Sequence, residues 1–203
     1  MRSRRTSALK SSISEEGCKY SDLSFTPFKA ETAAIMSFDC GNDELNEFLR
    51  TDEVMEFERE HLGKTTLVYC RGELAGYYTI YADSLERTYV RKRDSLSKAS
   101  AMHVKSIPAI MVGRLAVDRK WQGRGVGKAI LERIAMYALD NSHHLGIRLI
   151  LVQARLDAVP FYERSGFVAV PADLREEAKR MRTKGTRTLF LDIDKIGEAL
   201  EKE

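Results

Sequence analysis

Residues 113–135, GRLAVDRKWQGRGVGKAILERIA, constrain the chain most. An apolar stretch, Leu115-Ala116-Val117, runs into glycines at alternate positions, Gly123, Gly125 and Gly127. A helical pattern follows, with Val126, Ile130, Ile134 and Tyr137 on one stripe. A helix N-terminus carries unpaired N–H donors and about half a positive charge. Glycines let that backbone approach an anion without interference from Cβ. Arg124 and Lys128 add full charges beside it. Two phosphate-binding fingerprints fail here. The dinucleotide pattern G-x-G-x-x-G requires glycine where Lys128 stands. The P-loop requires a glycine and a hydroxyl where Gln122 and Ala129 stand. What remains is Q-x-x-G-x-G. On the glycines alone, a pyrophosphate cradle and an ordinary strand-to-helix turn are equally good readings.

The rest of the chain supplies a sheet. SDLSFTPFK (21–29) reads as a first strand with Leu23, Phe25 and Phe28 inward, and a short helix follows through Ala33, Ile35 and Met36. Residues 42–62 read as one longer helix, with Leu45, Phe48, Leu49, Met55 and Leu62 at helical spacing and acids in the first turn. TTLVYC (65–70) and LAGYYTIYA (74–82) form a hairpin around Arg71-Gly72-Glu73. Residues 84–106 form a polar, basic connection. IMVGRLAVD (110–118) is a strand, 126–140 a helix, and GIRLILVQA (146–154) a strand buried on both faces. DAVPFYERSGF (157–167) reads as a short helix with Asp157 as N-cap and Pro160 in its first turn. TRTLFLDI (186–193) is a last strand, and DKIGEALEKE a terminal helix. The order β-α-α-β-β-β-α-β-α-β predicts one α/β sheet of mixed direction with helices on its faces.

At 203 residues and 43% hydrophobic content, one domain with tails is expected. Residues 1–20 read as an Arg/Ser-rich disordered tail, 21–193 as the domain, and 194–203 as a C-terminal helix or tail. No apolar run reaches the roughly 18–20 residues that span a bilayer, and no apolar stretch of a secretory signal follows the N-terminal arginines. The reading is no membrane. Cys18, Cys40 and Cys70 are odd in number, far apart in sequence and without metal-ligand spacing, which fits a reduced cytoplasm. His143-His144 is an adjacent pair, not a chelating spacing, so no metal is expected. The net charge is +3, but the basic groups cluster at Arg87, Arg91, Lys92 and Arg93 and again at 175–187. These are either solvated faces or a surface for a polyanion.

The flanks of the glycine turn resemble a known family. LAVDRKWQGRGVGKAIL is similar to motif A, and DAVPFYERSGF to motif B, of the GNAT superfamily of acetyl-CoA-dependent N-acetyltransferases. The two occur in that family's order, separated by one helix and one strand. The resemblance spans roughly residues 21–193. It implies a central, mixed, mostly antiparallel β-sheet flanked by helices, with a βαβ acetyl-CoA-binding unit and acetyl-CoA as co-substrate. Backbone groups of Leu115, Ala116 and Val117 would then pair with the pantetheine arm. Amides of Gln122, Gly123, Arg124, Gly125, Val126, Gly127 and Lys128 would cradle the pyrophosphate. Tyr162 would protonate the leaving thiolate; a phenol with a pKa of about 10 holds its proton at neutral pH. Phe161 is expected to pack in the core or along the cofactor. Asp157 stands where the family often has asparagine.

The resemblance implies a primary amine as acceptor. Asp118, Glu163 and Glu73 are the nearest acids, and none is a convincing base, which favours an amine of low pKa such as an α-amine at about 7.7–8.0. FDCGNDELNEFL (38–49) followed by GRLAVD (113–118) is similar to the GNAT branch that acts as toxins in toxin–antitoxin pairs and acetylates the α-amine of aminoacyl-tRNA. That resemblance implies aminoacyl-tRNA as acceptor and an antitoxin protein as partner. Arg87, Arg91, Lys92, Arg93 and Arg114 would then meet tRNA phosphates, although Arg114 is equally a structural residue of its strand. A homodimer is common in the superfamily. The alternatives are an acetyltransferase of a small-molecule amine or a protein N-terminus, and a non-catalytic acyl-CoA-binding module.

Overall fold

The computed structural model describes residues 17–30, 32–87, 96, 104–170 and 185–200. The elements are β1 (Leu23–Pro27), α1 (Thr32–Ser37), α2 (Asp43–Arg50), α3 (Glu53–Arg59), β2 (Lys64–Cys70), β3 (Glu73–Glu86), β4 (Ser106–Val117), α4 (Val126–Ser142), β5 (Leu149–Arg155), α5 (Val159–Arg164), β6 (Val168–Ala169), β7 (Thr186–Asp192) and α6 (Ile193–Leu200). The described strands form one seven-stranded sheet in the order β1-β2-β3-β4-β5-β7-β6. Every neighbouring pair is antiparallel except β4 and β5, which α4 joins as a parallel pair. This is the mixed, mostly antiparallel sheet expected from the sequence.

Strand side chains alternate between the two faces of the sheet. Val68, Tyr78, Ile110, Val112, Ile150 and Val152 share a core with Val126, Ile130, Ile134 and Ala138 of α4. Leu67, Tyr77 and Ala116 face the other way, onto Phe38, Phe48, Leu49 and Val54. Ala109, Met111, Leu149 and Leu151 face a further cluster with Phe190. Covering on both faces explains the unbroken apolar run of β5. Arg71 and Gly72, both at positive φ (52° and 84°), close the β2–β3 hairpin.

Several expectations change. The predicted 42–62 helix is two helices, with extended Thr51 between them. A continuous helix carrying Leu45 and Leu49 inward would next bury Asp52, Glu56 and Arg59. The break resets the phase, so that Val54 is buried instead and Leu62 is left exposed. On α4 the inward stripe ends on Ala138, and Tyr137 is exposed. The 84–106 connection is shorter than expected, because β3 runs to Glu86 and β4 begins at Ser106. Asp157 does not cap its helix. The N-cap is Ala158, and Asp157 pairs with Arg155 at 3.2 Å.

The N-terminal tail was expected to extend to residue 20. Residues 1–16 lie outside the described residues, but 17–20 are placed. Antiparallel pairing of Leu23 with Cys70 brings the start of β1 to the end of β2, and Cys18 and Cys70 form a disulfide. The expectation of three reduced, separate cysteines is therefore corrected, and Cys40 is the free thiol. No described helix is long and apolar enough to cross a membrane.

Candidate active site

β4 builds the site by leaving its neighbour. It pairs with β5 only over Ala109–Val112. On the other side Ile80 faces Val112 and Thr79 faces Arg114, so Gly113 is an extra, bulged residue. The Tyr81 ring fills the space a side chain would need there: a Cβ on Gly113 would lie 2.4 Å from Tyr81 Cε1. Beyond the bulge, Leu115, Ala116 and Val117 pair with β3 alone and line a cavity of about 650 Å³. One edge of a buried strand is thereby opened, a place where an extended amide-bearing chain can pair as a further strand.

The glycine loop closes one end of this cavity. Gly123 and Gly125 have φ of 72° and 88°, and Gly125 is the N-cap of α4. Gly127 has a different reason to be glycine: a Cβ would meet the Phe161 ring at 3.2 Å. The Gln122 amide donates to Asp118 O, and the Arg124 amide lies 3.4 Å from Trp121 O. The amides of Gly123, Gly125, Val126, Gly127 and Lys128 have no acceptor among the described residues. These five donors at a helix N-terminus suit a pyrophosphate. Lys128 lines the same cavity and reaches Glu132 at 3.5 Å. The Arg124 guanidinium lies 5.7 Å from the Trp121 ring.

The opposite wall is the loop after α1. Cys40, Gly41, Asn42 and Leu45 line the cavity. Gln122 ties the walls together: its side-chain amide donates to Cys40 O and to Val117 O, each at 2.9 Å. Buried Asp118 accepts from the amides of Asp39 (3.0 Å) and Lys120 (2.9 Å). Asp39 accepts from Asn46, and Asn46 from the Cys40 amide, each at 3.0 Å. Asp118 thus holds the site's frame and is not part of the cavity lining. Glu163 and Glu73 are exposed. Sequence reasoning did not assign Cys40, Asn42, Leu45, Arg155 or Arg164 to the cavity they line. The FDCGN run was the available signal for the first two.

Tyr162 sits on α5, 6% exposed, between Phe161 and Phe167 at ring distances of 5.0 and 5.5 Å. Phe161, not Tyr162, contributes to the cavity wall. The Tyr162 hydroxyl has no hydrogen-bond partner among the described residues. Burial pushes its pKa up to about 12. Arg114 packs its guanidinium 3.6 Å from the Phe48 ring centroid and pairs with Glu53 at 3.0 Å. Arg87 lies at the end of β3, away from the cavity lining, while Arg91, Lys92 and Arg93 lie outside the described residues. Among the described residues no group of three or more His, Cys, Asp or Glu could hold a metal ion.

Residues 63–169, the segment that carries the bulged strand, the glycine loop and Tyr162, match the acetyltransferase (GNAT) domain family. The chain belongs to the GNAT acetyltransferases. Within that family it is similar to a tRNA-acetylating toxin of Mycobacterium tuberculosis, with 31% identity over 68% of this chain and 81% of the relative. Among solved structures it is similar to AtaT complexed with acetyl-methionyl-tRNAfMet, with 25% identity and a TM-score of 0.72 over 88% of this chain and 99% of the other. It is similar also to AtaTR bound with acetyl-CoA, with 25% identity and a TM-score of 0.68 over 89% and 99%. These relatives share the GNAT fold that the bulged β4 and glycine loop display here.

Proposed function

We propose that the protein transfers the acetyl group of acetyl-CoA to the α-amine of an aminoacyl-tRNA. One observation carries the acetyl-CoA half of this reading. The open edge of β4 runs directly into a loop that presents five uncommitted amides. An extended pantetheine arm fits the first and a pyrophosphate the second. Gly127 fits too, because the Phe161 ring that fills its side-chain space forms the cavity wall. The acceptor half is supported by the likeness to the tRNA-acetylating toxin and to AtaT with its acetylated tRNA.

The thioester supplies an activated acetyl group. Leu115–Val117 hold the arm that bears it, and the amides from Gly123 to Lys128 hold its diphosphate. Tyr162 keeps its proton throughout the neutral range and donates to the leaving sulfur. An α-amine is already largely neutral near pH 8, so the reaction needs no strong base, consistent with the structural commitment of Asp118. The likeness to a toxin and to AtaTR bound with acetyl-CoA supports an antitoxin protein as partner; a homodimer is the proposed assembly, and the cytoplasm, where charged tRNA resides, the proposed place of action. Arg87, Arg91, Lys92 and Arg93 are the proposed phosphate contacts.

The test is direct. Protein, acetyl-CoA and total charged tRNA are mixed, and CoA release is followed alongside acetylated aminoacyl adducts. Adducts that vanish in Tyr162→Phe support the reading. Acetyl-CoA binding without adducts overturns the tRNA acceptor and moves the search to small amines and protein N-termini.

A further inference from the structure

The disulfide lies beside the glycine loop. Cys70 is fully buried at the end of β2, and Cys18 is partly exposed. The Cys18 amide donates to Arg124 O at 3.1 Å, inside the loop. The Cys18 carbonyl lies 3.7 Å from the position of a Cβ on Gly125, and a Cβ on Gly17 would lie 3.7 Å from Arg124 O. Residues 17–18 therefore lie across the Arg124–Gly125 peptide.

That peptide matters. In a trans peptide the carbonyl and the following N–H point in opposite directions. Holding Arg124 O toward Cys18 turns the Gly125 N–H away from Cys18, and Gly125 lines the cavity with its amide uncommitted. Because residue 125 is a glycine at positive φ, the peptide plane meets little steric resistance to rotation. The Cys18 hydrogen bond is what fixes it. The rest of the strap has its own anchor: Asp22 O accepts from the Arg71 amide at 3.1 Å, and the two side chains pair at 3.0 Å. Breaking the disulfide thus releases the Cys18 end while the turn at residues 20–22 stays attached.

We propose that Cys18 is a positioning residue for the acetyl-CoA loop, delivered to Arg124 by its disulfide with Cys70, so that acetyl-CoA affinity follows thiol redox state. The proposal rests on the acetyl-CoA reading of that loop. Reduction by thiols is an exchange: the disulfide gains two electrons and two protons to give two thiols, and two external thiols become a disulfide. Disulfides in a reducing compartment are more often redox-sensing than structural, which accords with a bond poised on a functional loop.

The experiment is calorimetric titration of the full chain with acetyl-CoA, oxidised and then reduced by a phosphine. The phosphine becomes its oxide with an oxygen from water. Alkylation and mass spectrometry report the cysteine state. The oxidised protein is expected to bind about three- to tenfold more tightly, the equivalent of one oriented hydrogen bond. Cys18→Ser is expected to match the reduced protein and to ignore the phosphine. Its kcat at saturating acetyl-CoA should stay within about twofold, so that the loss falls on KM. Equal affinity in both states overturns the proposal, as does alkylation of all three cysteines after oxidation. A Cys18→Ser protein that still responds would assign the effect to Cys40 and overturn it too. Absence of binding in either state overturns the acetyl-CoA reading and this proposal together.

Discussion

Replacing Tyr162 by phenylalanine separates chemistry from folding, because the hydroxyl is the proposed acid and makes no hydrogen bond among the described residues that would serve the fold. The ring is 6% exposed and packs against Phe161 and Phe167, contacts that phenylalanine keeps. The hydroxyl makes no hydrogen bond to a described residue. Its loss should leave stability within about 1 kcal/mol, because no hydrogen bond to a described residue is lost with it. Loss of a general acid lowers kcat by about 10²–10⁴-fold, or roughly 3–5 kcal/mol of barrier. Acetyl-CoA affinity should not change. The pH profile adds a second check. With a pKa of about 12, the wild-type phenol is roughly 1% ionised at pH 10, where an ordinary tyrosine is half ionised. The rate, read as CoA released at saturating acetyl-CoA, should rise through the acceptor amine's pKa of about 7.7–8.0 and stay level to pH 10. The folded state holds this proton more tightly than the unfolded chain. Its contribution to stability is therefore complete below pH 10 and lost as pH climbs toward 12. A falling limb near pH 10 refutes the buried placement. A Tyr162→Phe protein that keeps more than about a tenth of wild-type kcat refutes the acid role.

Gln122→Ala removes the two hydrogen bonds that join the cavity walls, each worth about 0.5–1.5 kcal/mol. The KM for acetyl-CoA should rise about tenfold with little change in kcat, measured by steady-state kinetics. Arg114→Met tests whether that guanidinium is structural. Loss of its stacking on Phe48 and its pair with Glu53 should cost about 1–2 kcal/mol in urea unfolding and leave the salt dependence of tRNA binding unchanged. A slope reduced by about one would instead make it a phosphate contact. Arg148→Met leaves the buried Asp192 carboxylate without its 3.0 Å guanidinium and should cost about 3–5 kcal/mol, read from the same unfolding curves.

The sequence exposed what backbone periodicity and glycine spacing encode. The strand–glycine–helix unit, the buried β5 and the hairpin at Arg71-Gly72 were legible because local sterics and alternation dictate them. What escaped depends on partners distant in sequence. Ala138 takes the inward position because a 3.6-residue repeat from Ile134 reaches it as readily as Tyr137, and the sheet favours the smaller group. Asp157 prefers Arg155, two residues back, to the helix that follows it. The break before α3 was written in Asp52, Glu56 and Arg59, charges that one continuous stripe would have buried. The disulfide was hidden because only the β1–β2 register brings Cys18 to Cys70. Within the site, the glycines announced the loop, but nothing local announced that Gln122 would bind the Cys40 loop.

Gly113 is where all these features meet. It reads in the sequence as one more glycine in an apolar strand, yet the opening of β4 depends on it. A methyl group there would lie 2.4 Å from Tyr81 Cε1, 3.2 Å from Cδ1 and 3.4 Å from Cζ, so the ring or the bulge must move. Tyr81 is half-buried and packs edge-on to Phe57 at 6.3 Å, which limits its retreat. If the bulge yields instead, β4 shifts by one residue, and the residues after it exchange faces. Ala116, now directed at the α1–α3 core, would then be replaced there by a neighbour meant for the cavity. Gly113→Ala should therefore cost about 1–3 kcal/mol in unfolding and weaken acetyl-CoA binding by more than that stability loss explains. Adding Tyr81→Ala removes the clashing ring while leaving the bulge in place. The double variant should regain acetyl-CoA binding even though it has lost a ring from the core. If binding stays lost, the bulge is held by something other than the Tyr81–Gly113 contact, and the account of how β4 parts from β5 fails.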